Sequence, residues 1–401
     1  MFGGIPEIVG PGRLKRITEL KTMPKVLIFL HYYLPGYRAG GPLQSISNLV
    51  TRLGGIVDFS IVASDRDFLS MTPYDAIEPD RWTPLGHAVV CYLSPSSRIG
   101  KIRRILREQE HDILYLQSFF DPWFSIVPML LSRFRKPILI APRGEFGSGA
   151  LAQKPWKKKC FLFLFRLFGM HRRVVFHCST PLEAGEVRKV MGSRSRVRIA
   201  LNIADAGMRA SLGQPAFDGP LKLVFLSRIN NKKNLFFALN VLRECCLPVE
   251  FRIYGPREDA AYWEQCEAAM AELPENVWAC YCGEVVHQKV LETLAENHVM
   301  FFPTRNENFG HAICEALKAG VPVLCSDQTP WTELEARGAG WGIPLSRPQE
   351  YLEKLETYYR MSREKKDVMR HAAQDYAAEM VENPAAEKEY LEIFNNLIGE
   401  S

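Results

Sequence analysis

Two carboxylates eight residues apart, Glu307 and Glu315, flank a Phe309-Gly310 turn in the run Glu307-Asn-Phe-Gly-His-Ala-Ile-Cys-Glu315. An apolar run precedes the turn and a helical pattern follows it, so the turn joins a strand to a helix at the C-terminal edge of a sheet. A helix start at this point offers unpaired backbone N–H groups and a partial positive charge, which suit a phosphate. Gly310 lets the backbone approach such a phosphate closely. Glu307, before the turn, can accept hydrogen bonds from sugar hydroxyls. Glu315, about two turns into the helix, can bind a ribose diol. Two glutamates at this spacing are equally what an ordinary solvated helix carries. Their meaning depends on what surrounds them.

The elements that must position these residues follow a repeating order. From Lys25 onward, apolar segments of strand length alternate with helical patterns such as Leu43, Ile46, Leu49, Val50 and Leu53. Residues 25–31, 58–64, 87–93, 112–117, 136–142 and 173–179 read as strands of a first domain. Residues 221–227, 249–255, 277–283, 298–304 and 321–327 read as strands of a second. Near-continuous apolar strands are those of parallel sheets covered by helices on both faces. The βαβα order in each half predicts two doubly wound, Rossmann-like α/β domains with a cleft between them. The expected boundaries are an N-terminal extension without order at 1–23, an N-terminal domain at 24–205 and a Gly-, Ala- and Pro-rich linker at 206–220. A C-terminal domain follows at 221–378, then a last segment at 379–401 with an amphipathic helix after Asn383-Pro384.

Composition bounds the class. The chain has 401 residues, 47% apolar and 24% charged, which excludes a disordered chain, a fibrous repeat and a disulfide miniprotein. Its 10 cysteines are scattered and form no CxxC pair, so a reducing, cytoplasmic setting is expected. The first twenty residues lack the apolar core of a secretory leader. Trp123–Leu131 and Cys160–Met170 are the most apolar stretches, and both are shorter than the ~20 residues a membrane span needs. Charge is uneven. Residues 1–200 hold 30 Lys+Arg against 15 Asp+Glu, and residues 201–401 hold 20 against 30. Two halves so different in sign are expected to meet different partners.

The run FFPTRNENFGHAICEALKAGVPVLCSD resembles the donor-site signature of retaining glycosyltransferases of family 4, with its E-x7-E glutamates and E-A-x-x-x-G-x-P-V ending. About 75 residues earlier, Leu226-Ser-Arg-Ile-Asn-Asn-Lys-Lys-Asn234 is similar to that family's G-R-x-x-x-x-K-G turn, with Arg228 and Lys233 on its basic positions. Two cations after one strand are what a diphosphate leaving group needs as charge accumulates on it. Gly40-Gly41, in the first strand-to-helix turn, matches the family's loop that approaches the donor phosphate. Cys282-Gly283-Glu284-Val285 matches the loop beside the base. The resemblance is strong over 221–345 and thin over 24–200.

It implies a GT-B fold, a nucleotide-diphosphate sugar (UDP-linked) held mainly by the C-terminal domain, and a last helix that returns to the N-terminal domain. It further implies transfer with retention, the leaving phosphate taking the acceptor proton. Glu307 then holds the sugar hydroxyls and Glu315 the ribose. Arg228 and Lys233 stabilise the departing diphosphate, assisted by the Phe309 and Gly310 amides, and Lys233→Ala is expected to cost turnover far more than stability.

Several positions depart from the pattern. Tyr115 and Gln117 stand where the family commonly places an acceptor-side histidine, while Arg143 and His311 are candidate acceptor or phosphate contacts. Asn234 replaces the glycine after the motif lysine and tolerates the left-handed backbone that glycine would adopt. Asp65-Arg66-Asp67 has the D-x-D form of metal-dependent glycosyltransferases but lies far from the donor motifs, so no metal and no cofactor are expected.

The expected acceptor is a glycan or a lipid-linked glycan in polysaccharide or cell-envelope synthesis. Residues 154–173, basic and aromatic, suit either a core helix with a solvated end or an anionic membrane surface at the inner face of the cell membrane. No nucleic-acid module accompanies the charge. Other readings are a non-catalytic nucleotide-sugar-binding partner of an assembly complex and a sugar-nucleotide epimerase. A nicotinamide-dependent dehydrogenase is disfavoured, because no GxGxxG follows the first strand.

Overall fold

The computed structural model describes residues 23–75, 77–152, 155–204, 218–382 and 384–400. Of the expected segments, the N-terminal extension up to residue 22 and the linker over 206–217 lie outside the described residues, as does Lys154. The strands form two sheets. The first comprises β1 (Lys25–Phe29), β2 (Asp58–Ser64), β3 (Trp82–Leu85), β4 (Ala88–Leu93), β5 (Ile113–Leu116), β6 (Ile138–Ile140), β7 (Val174–Cys178) and β8 (Val197–Ile199). The second comprises β9 (Leu221–Leu226), β10 (Val249–Tyr254), β11 (Val277–Gly283), β12 (Val299–Phe302), β13 (Val323–Ser326) and β14 (Gly340–Ile343).

Strand order is β3-β4-β2-β1-β5-β6-β7-β8 in one sheet and β11-β10-β9-β12-β13-β14 in the other. All pairings are parallel except β3 with β4. The order reverses between β1 and β5, and again between β9 and β12. Open parallel sheets bind ligands outside the strand C-termini at such reversals. The loops after β1 and β5 and the loops after β9 and β12 are therefore the places to look for chemistry.

Three strands escape the sequence pattern, each for a local reason. β3 contains Pro84 and is largely exposed, an antiparallel edge strand on which proline is tolerated. β8 is a three-residue edge whose Arg198 and Ile199 face solvent. β14 begins at Gly340 with φ +148°, where a Cβ would stand 2.0 Å from the Val323 carbonyl oxygen, so the backbone contact itself demands glycine.

Each sheet is buried on both faces. One apolar cluster fills the C-terminal domain and takes in Met369, Ala373, Tyr376 and Ala377 from helix Arg363–Val381. The N-terminal sheet has one cluster on each face. Helix Pro384–Gly399 joins one of these, packing Tyr390, Leu391, Ile393, Phe394 and Leu397 beside Val26, Ile28 and Tyr115. The chain thus returns to the N-terminal domain after Val381, and Arg52 pairs with Glu387 at that contact.

Candidate functional site

Asn234 sets the geometry of the first basic turn. It has φ +64° and ψ +36°, and its side-chain amide donates to the Pro303 carbonyl at 2.9 Å. Asparagine meets the left-handed demand and adds a bond that glycine could not make. The turn thereby tethers the end of β9 to the end of β12. Lys233 Nζ reaches Glu307 Oε1 at 2.5 Å, and Thr304 Oγ1 donates to the same oxygen at 3.0 Å. Neither bond uses Oε2.

The side chains of Lys233 and Glu307 are 14% and 9% exposed. Burial opposes the charge on Glu307, but Lys233 and Lys232 outweigh it and hold the carboxyl below its ordinary value. Burial, with Lys232 and Arg228 as like charges, lowers the Lys233 ammonium. The two groups are mutually dependent. Beside the expectation that Lys233→Ala costs mainly turnover stands a stability cost of about 3–5 kcal/mol, expected when one member of a buried pair is removed. That single variant confounds folding with turnover.

Arg228 leaves the end of β9, pairs with Glu258 at 3.2 Å and lies 5.7 Å from the Phe68 ring centroid of the other domain. Gly310, with φ +79°, precedes helix His311–Lys318. A Cβ there would press on Ile313 at 3.1 Å and Trp331 at 3.3 Å, and Trp331 Nε1 donates to the Phe309 carbonyl at 2.6 Å. The turn is therefore braced from below, and Phe309 and Gly310 line the cavity beside it. Glu315 sits on the same helix, 3.9 Å from His287.

The N-terminal domain closes over this surface. Gly40 has φ +72°, and a Cβ on it would lie 3.7 Å from Arg228 Nε; one on Gly41 would lie 3.7 Å from His311. His311 meets Ser45 Oγ at 2.8 Å across the cleft. Burial first, then the charge of Arg143, pushes His311 down to about 3, so its ring is neutral. Arg38 binds Glu284 at 2.6 Å. The Asn308 amide donates at 2.8 Å to Glu183, whose carboxylate also accepts from Gly144 and Ser179.

Arg143 holds a left-handed φ of +54° and is oriented by Gln117 at 3.1 Å and Asn202 at 2.5 Å. Gln117, at a position where the resembled family commonly has histidine, is thus an arginine anchor. Tyr115 is buried and hydrogen-bonded to His177 at 2.6 Å.

One cavity of about 350 Å³ is lined by Gly40, Gly41, Arg143, Arg228, Lys233, Val285, Glu307, Phe309, Gly310, His311 and Glu315. Lys232, Ser45, Asn202 and Asn308, which the sequence did not single out, line it too, as does Glu284 of the loop matched beside the base. Lys232 adjoins a motif position and was discoverable; Ser45 and Asn202 carry no sequence signal. Arg228 and Lys233 line the cavity as members of ion pairs, and Lys232 and Arg143 line it without a carboxylate ion pair among the described residues.

Outside the cavity, His31 Nδ1 lies 2.6 Å from Asp121 Oδ2, beyond the ends of β1 and β5. The D-x-D carboxylates are engaged locally. Asp65 pairs with Arg66, and Asp67 accepts from the amides of Tyr37 and Phe68.

Two parallel α/β domains with facing reversals and a shared cavity define a known architecture. Solved structures align over nearly the whole chain. Sucrose-phosphate synthase from Thermosynechococcus elongatus covers 95% of this chain and 100% of its own, with TM-score 0.68 and 12% identity. HepE from Anabaena, in complex with UDP and glucose, covers 93% and 100%, with TM-score 0.69 and 13% identity.

The fold is GT-B.

Residues 211–376 match the model of the family Glycosyl transferases group 1, so the recognised signature coincides with the GT-B domain that carries Arg228, Lys233, Glu307 and Glu315. An uncharacterised 41.2 kDa protein in the cps region of Klebsiella pneumoniae is 22% identical over 261 residues, covering 61% of this chain and 68% of its own.

Proposed function

We propose that the protein transfers a sugar from a nucleotide-diphosphate donor, UDP-linked, to a glycan or lipid-linked glycan acceptor in polysaccharide or cell-envelope synthesis. The carrying observation is the convergence of Arg228, Lys233, Glu307, Gly310 and Glu315 on one cavity between the two strand-order reversals. Glu315 binds the ribose diol and Glu307, through Oε2, the sugar hydroxyls. The Phe309 and Gly310 amides, Arg228 and the two lysines surround the diphosphate. The bond from the anomeric carbon to the β-phosphate oxygen breaks, its electron pair staying on the phosphate, where these groups are worth most. The acceptor oxygen bonds to that carbon and its proton passes to the leaving phosphate, with retention. No metal is assigned a part, since the cations present supply the counter-charge.

Several findings support this reading. The group 1 signature covers the donor domain, and HepE, of the same fold, is seen with UDP and glucose. The cps-region relative favours the polysaccharide setting. The experiment is a purified transfer and donor-hydrolysis assay over a panel of nucleotide sugars, preceded by thermal shift. A protein stabilised by UDP that neither hydrolyses nor transfers any UDP-sugar would be the non-catalytic binder.

One observation favours a second reading. His31, oriented by Asp121, is the arrangement of a general base. If it took the acceptor proton, attack would come from the opposite face and the product would be inverted. The anomeric configuration of the product, read by NMR, separates the two.

A further inference from the structure

Helix Pro155–Leu167 has two apolar faces, and the fold uses one of them. Phe165 is fully buried, and Phe161 packs against Phe119 and Phe120 with ring centroids 5.3 and 6.1 Å apart. Lys158 turns inward as well, donating to the Ala150 carbonyl at 2.7 Å. At about 100° per residue, Trp156, Phe163, Leu164 and Leu167 fall on the opposite side in one stripe. They are 86%, 64%, 40% and 63% exposed. Phe168, 70% exposed, continues the stripe past the helix end. Lys157 borders it on one side and Lys159 and Arg166 on the other, all exposed. Residues 154–173 contain seven Lys+Arg and no Asp or Glu.

A solvated helix would not present so many large apolar side chains in one row. We propose that this face lies in the headgroup layer of an anionic lipid bilayer. Trp156, Phe163, Leu164 and Leu167 reach the acyl boundary, and the flanking cations meet lipid phosphates. Charge selects the occupant. A second copy packed through the same patch would bring two acid-free basic surfaces together, whereas an anionic bilayer complements them. No helix among the described residues is long and apolar enough to cross a membrane, so the contact is in-plane. The inference deepens the reading of a lipid-linked acceptor by naming the surface on which it would be met, but the docking itself does not require sugar transfer.

The test is flotation of the full chain with vesicles of phosphatidylcholine alone and of phosphatidylcholine mixed with phosphatidylglycerol. The protein should float only with the second, and raised salt should weaken the association. Trp156→Ser/Phe163→Ser/Leu167→Ser should lower partitioning by at least about tenfold, and Lys157→Glu/Lys159→Glu should release the protein from the anionic vesicles. Both variants change exposed side chains, so their melting curves and UDP binding should match the parent. Three results would overturn the proposal: no flotation with either vesicle, undiminished flotation of both variants, or a parent dimer that the triple substitution makes monomeric without lipid binding. A parent that floats but neither hydrolyses nor transfers a sugar nucleotide would sink the sugar-transfer reading and leave the docking intact.

Discussion

The two walls of the cleft are built differently. On the C-terminal side, the charged groups come from two strand-turn-helix units, after β9 and after β12, each contiguous in sequence. They are locked in pairs: Lys233 with Glu307, Arg228 with Glu258. On the N-terminal side, the polar groups arrive singly from different places. Arg143 follows β6, Asn202 follows β8 and Gln117, which orients Arg143, follows β5. One wall is a preorganised electrostatic unit; the other is a composite whose members depend on the packing of several strands. The first suits a constant partner such as a diphosphate, and the second a partner that varies with the task.

The difference can be broken experimentally, beginning with the C-terminal wall. Lys233→Met should lower turnover by about 10²–10³ and stability by about 3–5 kcal/mol, because Glu307 is left buried and unpaired. Lys233→Met/Glu307→Gln should regain much of that stability while turnover stays low. Denaturant melts beside single-turnover rates check both, and recovery of turnover in the double variant would show the pair to be structural. On the opposite wall, Arg143→Ala should reduce transfer to acceptor by about tenfold to a hundredfold, a loss of about 1.5–3 kcal/mol for a charged hydrogen-bonding group. Donor hydrolysis should change little. Equal losses in both reactions would mean that Arg143 serves the donor.

Acid should loosen both walls together. His311 and His177 are each lowered to about 3, with burial the main cause and the charge of Arg143 second. The unfolded chain binds protons at these positions that the folded chain does not. Stability contributed here is therefore present above the ordinary histidine range and is lost as pH falls toward about 3. Thermal melts across that window should show it, and His311→Gln should flatten the slope. The smallest effect is expected from Ser45→Ala, which removes one cross-cleft bond worth about 1 kcal/mol. It should appear as a modest rise in donor KM with kcat nearly constant.

Legibility in the sequence followed the same division. The C-terminal wall was readable because its residues lie within two short runs at a strand end and a helix start: Glu307, Gly310 and Glu315 were named from residue type and spacing, Arg228 and Lys233 from the resemblance of their turn to a known family's. The strands were readable because burial on both faces makes them uniformly apolar. Their ends were overextended by a residue or two, since Leu30 and Pro142 remain apolar after leaving the ladder. β3, β8 and β14 were missed where an edge position or a backbone contact replaced the apolar signal. Ser45, Asn202 and the His31–Asp121 pair were invisible for a different reason: their partners lie tens to hundreds of residues away. The buried state of Lys233 was equally hidden, because a motif shows residue type and not solvent exposure.

On the proposed reading, the paired cations of the C-terminal wall form the nucleotide-diphosphate site. Calorimetric titration of the full chain with UDP, alongside GDP and ADP, tests it most directly. One nucleoside diphosphate, UDP by this account, should bind at a single site. That binding should be lost in Arg228→Ala and in Lys233→Met/Glu307→Gln and remain within about threefold of the parent, ~0.7 kcal/mol, in Arg143→Ala. Absence of binding by all three nucleotides, or binding that survives both C-terminal variants, would contradict it.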